Sequence, residues 1–268
     1  MAENIKLQVM RGDASGAKMV TYEVPPVPGM VVLDALHYIQ ANIDSTLACR
    51  WNCKAAKCGS CSAEINGKPS LLCKSRVDTF GGGPIEVGPL RTFPLIKDLV
   101  TDVSWNFRVS RKIPSLTLAP DAPNPLIMHQ IDVDRIQEFR KCIECFLCQD
   151  VCHVLRDHDR KDGFFGPRQM IKLASLDMHP YDDVNRREQL KGEGGIGYCN
   201  ITKCCTEVCP EHIHITDNGI IPMKERVVDD YFDPIKKLIN IVVGKKKPLR
   251  PGGAPPASTS GGAVKSVK

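Results

Sequence analysis

The sequence predicts an α+β protein with two domains, a small sheet domain over residues 1–110 and a mostly helical domain over residues 126–243. Apolar residues alternate with polar ones in the first part, as in strands, and recur at helical spacing in the second. The thirteen cysteines gather in three clumps, one in the first part and two in the second. Clumped cysteines are typical of metal ligation rather than of a disulfide framework.

In the first domain, the alternation around Leu7 and around Tyr22 predicts two strands, and residues 85–87 predict another. Residues 31–40 have apolar side chains at helical spacing, so a short helix is predicted there. Asn66-Gly67 is a dipeptide typical of the two-residue turn of a β-hairpin. Strands, one helix and a cysteine-bearing loop together predict a β-grasp-like domain.

A proline-containing stretch joins the two domains. Residues 94–103 are amphipathic, which predicts a helix that leaves the first domain. Residues 111–125 contain four prolines and an Asn-Pro step, which predict an extended linker. In the second domain, helices are predicted to begin with Asp132 as an N-cap, at Gly166-Pro167 and at Pro222.

Charge and hydropathy limit the possible classes of protein. The formal net charge is +5, but residues 241–268 hold six basic and no acidic side chains, so the rest of the chain is near neutral. That distribution argues against a broad nucleic-acid-binding face. Residues 244–268 are basic and rich in Gly, Pro and Ser, so a tail without fixed structure is predicted there. No apolar run approaches the roughly 18 residues of a membrane helix, and no secretory signal is visible.

The first clump of cysteines has the spacing Cys-x4-Cys-x2-Cys, followed by a fourth cysteine. This is the spacing of plant-type [2Fe–2S] ferredoxins. The predicted ligands are Cys53, Cys58, Cys61 and Cys73. Gly59 has no Cβ, so the amides of this loop can approach bridging sulfides. Zinc is the alternative, but zinc ribbons usually pair two C-x2-C knuckles. Cys49 does not fit the spacing and is predicted to be a buried free thiol.

The second and third clumps together predict two more clusters. In two-cluster ferredoxins, three cysteines of one C-x2-C-x2-C-x3-C run bind one cluster and the fourth binds the other. On this crossing rule, a [4Fe–4S] cluster takes Cys142, Cys145, Cys148 and Cys209. The neighbouring cluster takes Cys152, Cys199 and Cys205.

Thr202 stands where the second run would have its middle cysteine. A neutral hydroxyl is a poor iron ligand beside thiolates, so this site is predicted to be a [3Fe–4S] cluster. Cys204 leaves an alternative open, because a small backbone shift would let its thiol coordinate iron; otherwise it is a spare buried thiol. The thiol sets are complete without histidine, so packing or hydrogen-bonding roles are predicted for His153, His158, His212 and His214.

This arrangement closely resembles the iron–sulfur subunit of succinate dehydrogenase and fumarate reductase (respiratory complex II). The resemblance covers roughly residues 5–240 and includes residues 94–100, Gly166-Pro167 and Cys209-Pro210 besides the predicted ligands. It implies a plant-type ferredoxin domain followed by an all-α bacterial-type ferredoxin domain. It also implies an electron-relay subunit of succinate:quinone oxidoreductase without a catalytic acid or base of its own.

The resemblance also implies partners and a place in the cell. A flavoprotein subunit with FAD would interconvert succinate and fumarate, and one or more membrane-anchor subunits would serve the quinone or menaquinone pool. The [2Fe–2S] cluster is expected nearest the flavin, with the [4Fe–4S] and then the [3Fe–4S] cluster toward the anchor. The chain is expected to be peripheral on the cytoplasmic face of a bacterial plasma membrane, without nucleic-acid partners.

The sequence fits two other functions less well. A relay subunit of another flavin-linked oxidoreductase, of the heterodisulfide-reductase type, would more often carry two complete [4Fe–4S] ligand sets, and Thr202 argues against that. The other is a zinc-stabilised binding module, which the loop spacing of the first clump disfavours.

Three positions depart from the family pattern at the quinone end. The cysteine at 152 is usually followed by proline, and here by His153. Quinone-binding members have a tryptophan where this chain has Asp157 and a histidine where it has Asn200. We therefore expect electrons to continue into an anchor subunit with another redox group, such as haem, and quinone to bind farther away.

Overall fold

The computed structural model describes residues 3–235 and Leu238, so the predicted tail at 244–268 and the end of the predicted helical domain lie outside the described residues. The first part of the chain is built on a five-stranded sheet with the spatial order β2-β1-β5-β3-β4. The strands are β1 (Ile5–Asp13), β2 (Gly16–Val24), β3 (Ser62–Ile65), β4 (Lys68–Leu71) and β5 (Ile85–Gly88).

The sheet and one helix form the predicted β-grasp arrangement. β1 and β2 make an antiparallel hairpin, whereas β5 runs parallel to β1 and pairs Ile85 with Leu7. Helix α1 (Val32–Asn42) buries Leu36 and Ile39 in the same core as the inward side chains of the sheet. The predicted strands and helix are confirmed, with β1 and β2 longer than the alternation indicates.

The predicted hairpin turn is also confirmed. Asn66 and Gly67 have φ angles of 49° and 74°, and a type I′ turn requires positive φ at both central residues.

The helix predicted for residues 94–103 is wrong, because a hairpin of β6 (Leu95–Lys97) and β7 (Val100–Thr101) lies there. Asp98 turns the hairpin with a left-handed φ of 51°. Its buried carboxylate accepts hydrogen bonds from the backbone N–H groups of Gly12 and Ala48, both at 2.8 Å. Those partners are distant in sequence, so local periodicity does not reveal them.

The remainder consists of helices joined by loops. The helices are α2 (Ser104–Lys112), α3 (Gln130–Gln137), α4 (Leu147–Asp150), α5 (His153–Arg156), α6 (Pro167–Asp177), α7 (Arg186–Lys191), α8 (Cys204–Glu207) and α9 (Ile221–Tyr231). Helices α6 and α9 begin at or beside the predicted prolines. Helix α3 begins at Gln130, so Asp132 lies inside its first turn and does not cap it. Within the described residues, no helix is long and apolar enough to cross a bilayer.

Each part of the chain contributes residues to the hydrophobic core of the other part. Cys145, Phe146 and Leu147 pack in the core of the sheet domain, whereas Val109 and Ile113 pack in the helical core. The ring of Phe146 lies edge-on to Phe107 and Phe93. The run of cysteines that begins at Cys142 is therefore held between the two cores.

Candidate metal centres

The first clump of cysteines meets at one end of the sheet. Cys61 immediately precedes β3 and Cys73 follows β4, and since these strands form a hairpin pairing Ser62 with Leu71, the two thiols come together. The loop between β3 and α1 brings Cys58 and Cys53 into mutual hydrogen-bonding contact. The structure thus gathers all four residues predicted for the [2Fe–2S] cluster.

The loop backbone supplies donors to sulfur. Lys54 and Ala56 have left-handed φ angles of 53° and 55°, a rare conformation for residues with a Cβ. The N–H groups of Ala55 and Lys57 donate to Cys53 Sγ, both at 3.3 Å. Successive N–H groups turned toward one point form a concavity that stabilises an anion.

The thiols of this group differ in their ease of ionisation. Burial acts to raise the pKa of Cys58, but hydrogen bonds from Ser60 and Cys53 outweigh it and lower the pKa to about 6. Burial raises the pKa of Cys61 to about 12. Cys61 therefore needs a cation beside it to be a thiolate at neutral pH.

The other cysteines are divided between two cavities. Cavity I is lined by Cys142, Cys145, Cys148 and Cys209, with Arg168 and Glu211 at its wall. Cavity II is lined by Cys152, Cys199 and Cys205, together with Thr202, Cys204 and Thr216. Cys209 thus lies with the first run and Cys152 with the second, which is the exchange that the crossing rule predicts.

The two runs have the same backbone. In the first, Glu144 and Phe146 are left-handed and α4 follows; in the second, Ile201 and Lys203 are left-handed and α8 follows. In this register Thr202 is equivalent to the middle cysteine of the first run. Cys205 is equivalent to the third.

Cys204 is a neighbour of this site with bonds of its own. In the common register it is equivalent to an apolar residue of α4, Leu147. Its Sγ lies 3.2 Å from Thr202 Oγ1 and donates toward the carbonyl oxygen of Val151 at 3.5 Å. These contacts favour the spare-thiol interpretation of Cys204.

Burial raises the pKa of several thiols that line the two cavities. The pKa rises to about 12 for Cys145 and Cys152 and to about 11 for Cys205, and it lies well above the usual value for Cys148. Without a cation these sulfurs hold their protons at pH 7. Soft thiolate ligands in threes and fours suit iron, whose positive charge favours their ionised form.

One further observation bears on the fit of a cluster to cavity I. Arg168 lines cavity I, and its buried Nε has no hydrogen-bond partner among the described residues. A hydrogen-bond donor of this kind beside a group of thiols fits a cavity that holds the sulfide of an iron–sulfur cluster.

Two residues at the cavities were not found by sequence reasoning. Thr216 is buried, and its Oγ1 lies 3.5 Å from Cys205 Sγ. It comes from a π-helical segment at Ile215–Ile220, and nothing in the local sequence indicates the contact. Arg168 is indicated by its position in the sequence, because a cation in the first turn of a helix opposes the helix dipole and so suggests a nearby anion.

Two of the predicted histidines, His153 and His214, make hydrogen bonds to carboxylates. His153 Nδ1 lies 2.9 Å from Asp157 Oδ2, and His214 Nδ1 lies 2.7 Å from Glu138 Oε1. His153 also lines cavity II.

Comparison with known protein families matches both parts of the chain. Residues 5–108 match the model of a 2Fe-2S iron-sulfur cluster binding domain. Residues 138–213 match that of a 4Fe-4S dicluster domain.

Individual proteins match over most of their length. The chain is 34% identical to a fumarate reductase iron-sulfur subunit of Mycobacterium tuberculosis, over 72% of this chain and 79% of the relative. It is 30% identical to a succinate dehydrogenase iron-sulfur subunit of Bacillus subtilis, over 73% and 81%. A chain of the Mycobacterium smegmatis Sdh1 complex in the apo form is 58% identical, with a TM-score of 0.85, covering 88% of this chain and 100% of that one.

Proposed function

This chain belongs to the iron–sulfur subunits of succinate dehydrogenases and fumarate reductases, and from that premise we propose how its cysteines perform the electron relay of the family. When bound, the clusters take up and release single electrons, which lets a two-electron flavin exchange electrons with a quinone. The protein's part is to hold the clusters, keep water away from them and set their spacing.

The proposed ligands are the eleven cysteines of the three groups. Cys53, Cys58, Cys61 and Cys73 hold [2Fe–2S]; Cys142, Cys145, Cys148 and Cys209 hold [4Fe–4S]; Cys152, Cys199 and Cys205 hold [3Fe–4S]. The observation that carries this assignment is the exchange of Cys209 and Cys152 between cavities I and II. Thr202 occupies the fourth corner of cavity II, where a hydroxyl leaves one iron without a thiolate.

Contacts between the sites support a linear order with the [4Fe–4S] site in the middle. Gly59, in the loop of the first site, lies so close to Cys145 that a Cβ on it would be 2.7 Å from the Cα of Cys145. On the other side, burial and the nearby Cys205 of cavity II both raise the pKa of Cys148 in cavity I, so these two cysteines are close. An electron passed along the proposed clusters would therefore go from the first site through cavity I to cavity II.

The two ends of this relay would face different partners. Cys53 is exposed and lies next to the half-exposed Trp51, and we assign this end to the FAD-containing flavoprotein. Tyr198 and Ile201 are exposed beside cavity II, and we assign that end to the membrane anchor, which would hold the subunit at the cytoplasmic face of the membrane.

The quinone site is proposed to lie away from cavity II. Beside that cavity, the paired side chains of His153 and Asp157 and the amide of Asn200 stand where quinone-binding relatives have other residues. Electrons would then pass to a further redox group in the anchor, such as haem. A structure of the complex with quinone in contact with cavity II would contradict this.

Electron paramagnetic resonance of the purified complex tests the cluster assignment. An oxidised [3Fe–4S] cluster is paramagnetic, whereas oxidised [2Fe–2S] and [4Fe–4S] clusters are silent. We expect one signal before reduction and further signals after it, with iron and sulfide present in the matching amounts. A colourless protein that contains zinc would overturn the proposal.

A further inference from the structure

Arg168 is a buried cation in an unfavourable place. It lies in the first turn of α6, where the partial positive charge of the helix N-terminus repels a guanidinium. Its side chain is only 11% exposed, so water does little to offset the repulsion. A charge held in such a position needs negative charge nearby.

Contacts among the described residues supply only part of the negative charge and of the hydrogen-bond acceptors that the guanidinium of Arg168 needs. The Nη2 group pairs with Glu144, whose carboxylate is half exposed. The backbone N–H of Arg168 donates to Gln149 Oε1 at 3.3 Å. The buried Nε, however, finds no hydrogen-bond partner among the residues that the structure describes.

Arg168 is held beside cavity I by close packing. Gly166, just before α6, leaves no room for a Cβ, which would lie 2.0 Å from Gln149 Oε1. Since Gln149 belongs to α4, the start of α6 is fixed against the first cysteine run. Burial raises the pKa of Cys142, and the positive charge of Arg168 opposes that rise, so the two groups are close.

Cavity II has no equivalent arrangement among its described lining residues. The lysine that lines it, Lys203, is half exposed and pairs with Asp217 at 2.7 Å. The buried hydroxyl of Thr216, a neutral group, approaches Cys205 instead.

We propose that Arg168 sets the reduction potential of the [4Fe–4S] cluster, with its guanidinium held against cavity I and its Nε–H donated to a sulfur there. The inference rests on the proposed function, since it needs a cluster in cavity I. Reduction brings one electron, and so one negative charge, from the [2Fe–2S] site into cavity I. That electron leaves again to the [3Fe–4S] site, and no bond forms or breaks. A fixed cation and a donor to sulfur stabilise the reduced form and raise the potential.

The test is a redox titration of the intact complex, followed by the paramagnetic signal of the reduced [4Fe–4S] cluster. Arg168→Met removes both the charge and the donor. We expect the equilibrium constant for one-electron reduction to fall about tenfold, a shift of about 59 mV to lower potential. The [2Fe–2S] and [3Fe–4S] potentials should stay unchanged, and Arg168→Lys should recover part of the shift.

Glu144 requires its own control, because Arg168→Met leaves this carboxylate unpaired. The double variant Glu144→Gln/Arg168→Met separates the two effects. A potential that stays low in the double variant supports a direct action of Arg168, whereas a return to the wild-type value overturns it. Lys172→Met is the matched control on the same helix, because the Lys172 ammonium is bound to Ser110 and should matter little.

Two further outcomes are informative. If Arg168→Met does not retain its cluster, the titration is made on Arg168→Gln, and an unchanged potential there overturns the inference. Pulsed resonance on protein with ¹⁵N-labelled arginine should show a nitrogen coupling that Arg168→Lys lacks; its absence from the wild type overturns the Nε–H···S bond. A wild-type complex with no [4Fe–4S] signal would instead refute the proposed function.

Discussion

Residues 142–152 and 199–209 follow the same backbone course and yet form unlike sites. Each run turns through two left-handed residues into a one-turn helix and gives its last cysteine to the other cavity. The first run has a cysteine in the middle and a buried arginine beside it. The second has Thr202 in the middle and the hydroxyl of Thr216 beside Cys205.

The comparison separates two tasks that the same backbone performs. Left-handed residues such as Glu144 and Ile201 aim the thiols, and they do so whether or not each position holds a cysteine. On the proposed assignment, individual side chains around each cavity determine the number of irons and the potential. Similar loops would then hold clusters of different composition in one chain.

The largest effect is expected from breaking the exchange of cysteines. Cys209→Ala should remove the [4Fe–4S] cluster and leave the [3Fe–4S] signal, although Cys209 belongs to the second run. Cys152→Ala should do the reverse. Iron content and paramagnetic resonance of each purified variant measure the outcome. If each substitution emptied the cavity of its own run, the crossing assignment would be wrong.

Making the two runs alike should change the composition of one cluster. Thr202→Cys supplies the missing thiolate, so we expect one more iron per chain and loss of the signal of the oxidised [3Fe–4S] cluster. Thr202→Ser is the control and should retain that signal. A change of the signal in Cys204→Ala would show instead that Cys204 takes part in ligation.

A smaller effect is expected from weakening the hydrogen bonds between the segments that flank the two cysteine runs. Glu138, before the first run, accepts bonds from His214 and Asn218, after the second. Burial acts to raise the pKa of Glu138, but these hydrogen bonds outweigh it and hold the pKa below its usual value. The stabilisation is thus present above the usual carboxyl range and is lost as pH falls through the lowered pKa.

Glu138→Gln should therefore lower the free energy of unfolding at pH 7 by about 1–3 kcal/mol. Its stability should also fall less steeply than that of the wild type below about pH 4.5. Circular dichroism during denaturation at several pH values measures both. Parallel pH profiles for the two proteins would count against the role of Glu138.

The smallest effect tests the neutral donor of cavity II. Thr216→Val removes a hydroxyl from Cys205 and should cost roughly 1 kcal/mol in stabilising the reduced cluster. That corresponds to a [3Fe–4S] potential lower by about 40 mV for one electron. Thr216→Ser keeps the hydroxyl and should titrate like the wild type. Equal potentials for the valine and serine variants would show that the hydroxyl of Thr216 does not influence the [3Fe–4S] potential.

Local sequence predicts the features of this protein that depend on spacing. The cysteine intervals predict the groups that meet, Asn66-Gly67 predicts a turn, and the alternation around Leu7 predicts a strand. In each case the residues that determine the structure lie a few positions apart in sequence, or the coordination chemistry of iron limits which cysteines can be ligands. The likeness of the two runs is also visible once Thr202 is placed in register.

Long-range partners decide what the sequence does not predict. Residues 94–103 have a helical pattern, but the buried carboxylate of Asp98 binds backbone groups of two other segments and turns a hairpin. Thr216 reaches Cys205 from a π-helical segment. Arg168 is indicated in the sequence by the unfavourable position of a cation in the first turn of a helix.

The close fit of Gly59 against Cys145 bears on how this chain can be divided. A sheet domain cut off at residue 110 would keep its four cysteines but lose Cys145, Phe146 and Leu147 from its core. The cut would expose an apolar face and a ligand loop that a neighbouring backbone now holds in place. A fragment made at the apparent boundary is therefore not an interchangeable module, and a transplant of the first cluster would have to include this short helical segment as well.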